Sequence, residues 1–272
     1  MDATSLEQFI LNNLMGPIDI DSLSDRKRCE LEFHDSHRNR SANKAPESDT
    51  YDKFYGNKKY YQTTRRSVNY IHDWIRKECA NKVFLDYACG DGKYTVMASQ
   101  SGAKLSLGID ISNESILNAR HDSSDIRNTI FFQADCENTR LPDNSIDTIL
   151  CSGMLHHLDL SYAFYELRRI IKPGGKILCV EALDYNPAIK LYRVLTPEMR
   201  TDWEKAHILS MKDLDLARRF FAVGNIKYWH VTGYLSAKIK FLTKPTEIID
   251  RLLEKIPIIQ RLSWIFTFEL TK

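Results

Sequence analysis

The stretch KVFLDYACGDGKY, residues 82–94, decides the fold. Its first half is a short apolar run that predicts a buried strand, and the small residues after it predict a tight loop whose backbone can approach a ligand closely. Residues 93–101 follow as a helix-like segment, whose N-terminal amides favour an anion. A dinucleotide fingerprint needs a third glycine where Thr95 stands, so the loop counts against a nicotinamide-dependent dehydrogenase.

Short apolar runs and amphipathic segments keep alternating after this loop. The segments 113–121 and 160–171 predict helices, and Lys172-Pro173-Gly174-Gly175 predicts a helix stop and a tight turn. Strand–helix alternation at this pitch predicts a parallel α/β sheet with helices on both faces. The predicted strands are 82–88, 103–110, 129–135, 146–153 and 175–183, with later candidates at 225–232 and 264–271.

The composition is that of an ordinary globular protein: of 272 residues, 43% are hydrophobic and 27% are charged. The formal net charge of +2 excludes a strongly basic protein that coats nucleic acid. No apolar run approaches the length of a membrane span, and the acidic N-terminus has no cationic leader region, so we expect a cytoplasmic protein. The six cysteines are irregularly spaced with no CxxC pair, so we expect reduced thiols and no metal site.

Acidic side chains stand at the carboxyl ends of two further predicted strands. Asp110 lies 20 residues after Gly90, a spacing at which a carboxylate meets ribose hydroxyls, although an Asp at a strand end can also cap a helix. Asp135 follows the third strand, where it could accept from an adenine amino group or simply stand in a loop. The fourth strand runs into CSGMLHHL, residues 151–158. Ligands of open α/β sheets bind beyond the carboxyl ends of the strands, so these residues predict one shared site.

Five motifs in register resemble the class I S-adenosylmethionine-dependent methyltransferases, specifically the type 11 group. The resemblance covers roughly residues 60–185 and comprises D-x-A-C-G-x-G, G-I-D, A-D-C, S-G-M-L-H-H-L and L-R-R-I-I-K-P-G-G-K. It implies S-adenosylmethionine as the cofactor and S-adenosylhomocysteine as the product. It also implies a doubly wound, Rossmann-like α/β fold with a seven-stranded sheet, mostly parallel with one antiparallel strand near the C-terminus, and helical lid elements.

The resemblance implies cofactor roles for individual positions. Asp86 would hold the loop or the methionine amino group, Asp110 the ribose diol, and Asp135 the adenine amino group. Arg66 resembles the basic residue that some relatives direct at the cofactor carboxylate, although Arg65 competes and a solvated helix face is the alternative. The other implied contacts are Ala88, Gly90 and Gly92 along the methionine and ribose, Ile111 and Cys136 beside the adenine, and Ser152 and Gly153 at the amino-acid end.

The sequence indicates less about the chemistry of the acceptor than about the cofactor. Methyl transfer is an in-line displacement at a sulfonium, so positioning supplies much of the catalysis, and a base is needed only for a hydroxyl or a protonated amine. His157 follows the fourth strand and is the candidate base, with Glu181 at the end of the fifth strand next. The L-H-H-L stretch accompanies varied acceptors in the family, so a structural role for His157 is the alternative.

Four stretches make up the predicted domain organisation. Residues 1–60 are expected to form an N-terminal extension or lid, in which the tyrosines at 51–61 either cover the cofactor or pack together. Residues 61–185 would bind the cofactor, 186–262 would form an acceptor-binding insertion with helices, and 263–272 a final strand of one compact domain. The insertion offers apolar surfaces and donors for an acceptor pocket at Tyr192, Arg193, Met199, Arg200, Trp203, His207, Tyr228, Trp229 and His230.

The C-terminal region is basic and aromatic. Residues 217–272 carry ten Lys or Arg and four Asp or Glu, and they include an apolar helix face that ends before Pro257. This character predicts weak contact with a membrane surface or binding of an anionic acceptor; a core helix with a solvated face is the alternative. The apolar face consists of Ile248, Ile249, Leu252, Leu253 and Ile256.

The sequence therefore predicts an enzyme of the EC 2.1.1 type that methylates O or N of a small molecule, such as a sugar, a lipid or a natural-product intermediate. Another sulfonium-derived group transfer on the same fold, and a non-catalytic cofactor-binding partner subunit, are the alternatives. No nucleic-acid acceptor is expected, because residues 151–154 replace the Asn/Asp-Pro-Pro-aromatic signature. The motifs name neither the acceptor nor the oligomeric state.

Overall fold

A seven-stranded sheet organises the computed structural model, which describes residues 1–40, 63–237 and 240–272, with only the backbone of 237 and 240. In space the strands follow the order β3-β2-β1-β4-β5-β7-β6. Only β7 runs antiparallel to its neighbours, so the predicted doubly wound, mostly parallel sheet is confirmed. The strands are β1 (Val83–Tyr87), β2 (Leu105–Asp110), β3 (Thr129–Gln133), β4 (Ile146–Ser152), β5 (Ile171–Ala182), β6 (Ala222–Trp229) and β7 (Ile265–Thr271).

Helices cover both faces of this sheet. Side chains of alternate β1 residues point to opposite faces, so Leu85 packs with Ile10 and Phe164 in one core cluster while Phe84 packs with Ile75 in another. The helices are α1 (Ala3–Asn13), α2 (Asp25–Arg38), α3 (Arg65–Glu78), α4 (Lys93–Gln100), α5 (Asn113–Asp122), α6 (Leu160–Ile170), α7 (Pro187–Leu195), α8 (Asp202–Ala206), α9 (Met211–Ala217) and α10 (Thr243–Leu253).

The predicted turn at 172–175 lies inside a strand. β5 begins at Ile171, directly after α6, and its pairing with β4 shifts register between Ile146 and Thr148. Gly174 has φ +74°, and a Cβ on Gly175 would lie 2.5 Å from the Ile171 side chain. The two glycines therefore let the chain turn within an irregular strand instead of a separate loop.

The described N-terminal residues, 1–40, form two helices in different positions and not a single extension. Leu6 and Ile10 of α1 are fully buried in the main core, whereas α2 lies across the carboxyl ends of the strands and packs on α5. The tyrosines at 51–61, which were predicted to cover the cofactor or pack together, lie outside the described residues. A polar N-terminal stretch therefore contains both a core helix and a helix over the sheet ends.

The apolar face of α10 points outward, against the core-helix interpretation. Ile248 and Leu252 expose 64% and 63% of their surface, while Thr246 and Asp250 on the opposite side are buried. No helix among the described residues is long and apolar enough to cross a membrane. All six cysteines are free thiols, as predicted.

Candidate functional site

The loop after β1 is held by Asp86. Its Oδ2 accepts hydrogen bonds from the backbone N–H and the hydroxyl of Thr95, both at 3.1 Å. Burial raises the pKa of Asp86 to about 7, while the two Thr95 donors and the Asp110 charge act in opposite directions on it. Of the two roles considered for Asp86, these contacts support holding the loop against the start of α4.

Positive φ angles shape the same loop. Ala88, Gly90 and Gly92 have φ of +61°, +52° and +77°, so the backbone coils where side chains would otherwise block it. A Cβ on Gly92 would lie 2.5 Å from the Phe131 ring, and Gly92 does not line the cavity at the sheet ends. Gly92 faces Phe131 under the loop, a position that does not support the expected contact with the cofactor.

Asp110 joins the loop to the end of β2. Its Oδ2 accepts from the backbone N–H of Gly90 and its Oδ1 from that of Ser112, both at 2.9 Å. Each carboxylate oxygen offers a second lone pair, and the residue lines the adjoining cavity. This geometry suits a carboxylate that accepts from two vicinal hydroxyls.

The carboxyl ends of the strands enclose this cavity, here called the sheet-end cavity. A side chain at Gly90 would enter it and meet the Arg38 guanidinium at 3.0 Å, so the backbone leaves room there for a ligand. Arg66, Asp86 and Gly92 do not line it. Among the residues predicted to contact the cofactor, those that do are Ala88, Gly90, Asp110, Ile111, Asp135, Cys136, Ser152 and Gly153.

One face of α2 closes the sheet-end cavity, and sequence reasoning missed it. Lys27 Nζ contacts Asp135 Oδ2 at 2.6 Å. The carboxylate that was expected to accept from the adenine amino group is therefore paired with a lysine of α2. The sequence did contain a signal for this helix face. Glu30, His34 and Arg38 recur every four residues, a spacing that places them on one side of a helix. The cavity-lining residues of α2 are Arg26, Lys27, Glu30, His34 and Arg38.

Arg66 does not line the sheet-end cavity, so the structure does not support its expected contact with the cofactor carboxylate. Its two guanidinium nitrogens bind the Glu254 carboxylate at 2.8 and 2.6 Å, and the group lies over the Trp229 ring. The pair is largely buried, with 14% and 9% of the side chains exposed. The structure instead brings cations of α2 to the cavity, among them Arg38 beside Gly90.

Glu181 makes hydrogen bonds to its own surroundings, which do not support its expected role as a base. Its Oε1 accepts the backbone N–H groups of Met154 and Leu155 at 2.9 and 2.8 Å, and its Oε2 lies 2.7 Å from His156 Nδ1. The side chain is fully buried. Although burial favours neutral imidazole, the Glu181 charge raises the pKa of His156. Glu181 therefore fixes the segment after β4 while it also lines a cavity beside that segment.

His157 lines the sheet-end cavity, as expected, and lies beside α2. Its Nδ1 is 2.9 Å from Glu30 Oε2, and Arg26 donates to its backbone carbonyl at 2.8 Å. Burial, followed by the charge of His156, lowers the pKa of His157 to about 3. Burial alone would raise the pKa of Glu30, but hydrogen bonds from His157 and His34 lower it well below its usual range. A neutral imidazole therefore faces a carboxylate, and its low pKa makes it a weak general base.

A second cavity, here called the adjoining cavity, opens from the first and shares Arg38, Ser152, Gly153 and His157 with it. Of the predicted acceptor residues, Met199 and Arg200 line it, and Tyr192 and Arg193 line a further compartment that shares Arg200. The others do not, because Trp203 stacks on His207 at 3.7 Å, Tyr228 contacts Met211, and Trp229 and His230 pack on α3.

Comparison with known proteins matches this architecture. Residues 85–179 fit a family model described as a methyltransferase domain, of the type 11 group. The ribosomal protein L11 methyltransferase of Paraburkholderia phymatum is 29% identical over 119 residues, 43% of this chain and 36% of that protein. The demethylmenaquinone methyltransferase of Staphylococcus epidermidis is 28% identical over 112 residues, 40% of this chain and 46% of that protein. The matches thus span less than half the length of either relative.

A solved structure extends the likeness beyond the matched domain. The S-adenosylmethionine dependent methyltransferase from Mesorhizobium loti has a TM-score of 0.54, covering 74% of this chain and 95% of that one at 20% identity, which shows the same fold. The family match, the shared fold and the site geometry therefore agree: residues 85–179 are similar to a methyltransferase domain of the type 11 group, a likeness that supports S-adenosylmethionine as the cofactor.

Proposed function

We propose that the protein transfers a methyl group from S-adenosylmethionine to O or N of a small-molecule acceptor, a reaction of the EC 2.1.1 type. The observation that carries the proposal is the adjoining cavity, which meets the sheet-end cavity at Ser152, Gly153 and His157. A donor in the first cavity and an acceptor in the second would meet at this junction. Proximity and orientation of that kind account for much of the rate of a displacement reaction.

In this proposal, side chains of the sheet ends and α2 hold the cofactor. The cofactor, when bound, supplies an electrophilic methyl group on a sulfonium. Asp110 accepts from the ribose hydroxyls, while its bonds to Gly90 and Ser112 hold it in place. Arg38 takes the carboxylate-binding role that the sequence suggested for Arg66, because it is the arginine beside Gly90. Asp135, expected to accept from the adenine amino group, would share its carboxylate with Lys27.

The wall of the adjoining cavity favours a small polar acceptor. Arg38 and Arg200 bring positive charge, Glu204 beside Arg200 brings negative charge, and Met199 and Trp264 bring apolar surface. Pockets for small molecules combine these features. The names of the two relatives point to different acceptors, a ribosomal protein and a quinone precursor. The acceptor class therefore needs a direct test.

That test uses methyl-labelled S-adenosylmethionine with wild-type protein and two fractions of a cell extract, small molecules and proteins. The proposal expects label in the small-molecule fraction and none after Asp110→Asn. Label only in the protein fraction would contradict it. A parallel assay uses cofactor labelled in the aminocarboxypropyl chain, and transfer of that label would support the alternative sulfonium chemistry. Cofactor binding without transfer of either label would support a non-catalytic subunit.

A further inference from the structure

We propose that Glu30, His34 and His157 bind a divalent transition-metal ion beside the cofactor cavity. Glu30 and His34 lie one turn apart on α2, and His157 comes from the turn Leu155–His157 after β4. Glu30 Oε2 lies 2.9 Å from His157 Nδ1 and 3.6 Å from His34 Nε2, and one ligand atom from each residue lies within 4.8 Å of the others. Bonds of about 2.0–2.2 Å in a tetrahedral site separate ligand atoms by roughly 3.3 Å.

The charges around these three residues favour a cation. In the described part of the chain, the basic side chains that pair with Glu30 within 4.0 Å are two imidazoles, those of His34 and His157. Neighbouring cations of α2 are paired elsewhere, since Lys27 binds Asp135 and Arg26 binds Glu137. A buried carboxylate without a Lys or Arg partner has unsatisfied charge that a metal ion would neutralise.

A supporting hydrogen bond orients the carboxylate. The Thr201 hydroxyl donates to Glu30 Oε1, which leaves Oε2 directed at the two imidazoles. Metal-binding carboxylates are commonly fixed by such an outer partner. The exposed fractions of His34 and His157 side chains, 28% and 15%, leave a route for an ion from solvent.

A second set of ligands, His156, His157 and Glu204, is less suited to a metal ion. His156 Nδ1 is already bound by Glu181, and its Nε2 lies 3.9 Å from Glu204. Glu204 also lies 3.3 Å from the Arg200 guanidinium, a cation that would compete with the ion. The first set therefore carries the proposal.

Two histidines and one glutamate leave a coordination position open, as in catalytic zinc sites. His34 and His157 line both cavities, so that position would lie near the acceptor. Its use in catalysis rests on the proposed function. An acceptor hydroxyl bound to the ion would release its proton to solvent, its oxygen would form the new bond to the methyl carbon, and the electron pair of the broken carbon–sulfur bond would remain on sulfur.

The test is metal binding by tag-free, chelator-treated protein. Calorimetric titration with ZnCl₂, supported by the visible spectrum with Co²⁺, is expected to show one tight site per chain. Glu30→Gln, His34→Gln and His157→Gln should each weaken zinc binding by about 100-fold or more, and Thr201→Val by about tenfold. The exposed His121 supplies the matched control, and His121→Gln should bind zinc as the wild type does.

Several results would overturn the metal proposal. They are no zinc binding by wild-type protein, equal binding by His34→Gln, or loss with Glu204→Gln in place of His34→Gln. Thermal unfolding without metal shows whether each variant folds, and if Glu30→Gln unfolds, His34→Gln at the more exposed position decides. Binding of S-adenosylhomocysteine, measured separately, tests the proposed function, so failure of one proposal is distinguishable from failure of the other.

A different observation carries a second inference: the structure assigns the outer surface of residues 241–262 to an anionic lipid bilayer. On α10, Ile248, Ile249 and Leu252 are exposed by 47–64%, and beyond it Ile258 is exposed by 82%. The cations on this surface, Lys244, Arg251, Lys255 and Arg261, are also exposed.

The acids of the same segment turn away from this surface. Glu254 binds Arg66 and is 9% exposed, Asp250 is buried against Thr232, and Glu247 faces Arg65 with 18% of its side chain exposed. The outer surface therefore offers apolar and cationic groups together. That combination is complementary to anionic headgroups above an acyl layer.

Vesicle sedimentation tests this surface with the full chain. We expect binding to phosphatidylglycerol-containing vesicles, weaker binding at high salt, and little binding to phosphatidylcholine alone. The double variant Ile248→Ser, Leu252→Ser should weaken binding at least about tenfold, the effect of leaving two apolar side chains out of the acyl layer. The control is Leu117→Ser, which changes a 49% exposed leucine on α5. Equal binding to both vesicle types, no binding, or a dimer abolished by the double variant would contradict the proposal.

Discussion

The loops at the carboxyl ends of β1, β2 and β4 line the same cavity as α2, yet different constraints act on the two regions. In the loops, the backbone dictates the residue types: Gly92 has no room for a side chain, and Asp110 accepts two backbone N–H groups. In α2, an ordinary helix surface becomes part of the site only by docking on residues more than 100 positions away, as Lys27 does on Asp135. Residues that shape the backbone leave a local motif in the sequence, whereas residues that act by docking leave only the spacing of a helix face.

The largest expected effect is on the free energy of unfolding. It distinguishes Arg66, which pairs with Glu254, from Arg38, which lines the sheet-end cavity. Arg66→Met should lower the free energy of unfolding by about 3–5 kcal/mol, because it leaves the buried Glu254 carboxylate without its cation. Affinity for S-adenosylhomocysteine should not change in the folded variant. Urea denaturation and calorimetry measure the two quantities. A large loss of affinity with an unchanged free energy of unfolding would instead support a contact between Arg66 and the cofactor carboxylate.

The loop constraint is tested by Gly92→Ala. Overpacking against Phe131 and a left-handed conformation together should lower the free energy of unfolding by about 2–4 kcal/mol. Gly174 has a similar φ of +74° and open space around it, so Gly174→Ala should cost only about 1 kcal/mol. Equal losses in urea denaturation would show that contact with Phe131 is not what requires glycine.

The docking helix is tested against the loop by cofactor affinity. Arg38→Met and Asp110→Asn should each weaken binding of S-adenosylhomocysteine by about 1.5–3 kcal/mol, the range for a hydrogen bond to a charged group. Arg28, on the same helix but paired with Asp25 outside the cavity, gives the control variant Arg28→Met. If Asp110→Asn weakens binding and Arg38→Met does not, α2 covers the cavity without holding the cofactor.

The smallest effect concerns His230, which packs on α3 far from the loops. Burial, then the charge of Arg66, lowers its pKa to about 3 from 6.5, so its contribution to stability is present above pH 6.5 and is lost as pH falls. Between pH 7 and pH 5 the loss should be about 2 kcal/mol, since the unfolded chain takes up the proton. His230→Asn tolerates the φ of +66° and should remove that part of the pH dependence. If the free energy of unfolding of His230→Asn depended on pH as that of the wild type does, the low pKa assigned to His230 would be contradicted.

Much of the fold followed from the sequence because local patterns matched the final structure. The five apolar runs of the core became β1–β5. The orientation of α10 did not follow, because an apolar helix face does not reveal whether it meets the core or solvent. In the site, the contacts of Arg66 and Glu181 did not follow from the sequence, because their partners Glu254 and His156 lie elsewhere in the chain.

The central claim is that the sheet ends and α2 together form a site for S-adenosylmethionine. Isothermal titration of the full chain with S-adenosylhomocysteine tests it most directly, with NAD titrated into the same preparation. The account predicts saturable binding of one S-adenosylhomocysteine per chain and no binding of NAD. No binding of S-adenosylhomocysteine alongside clear binding of NAD would contradict it.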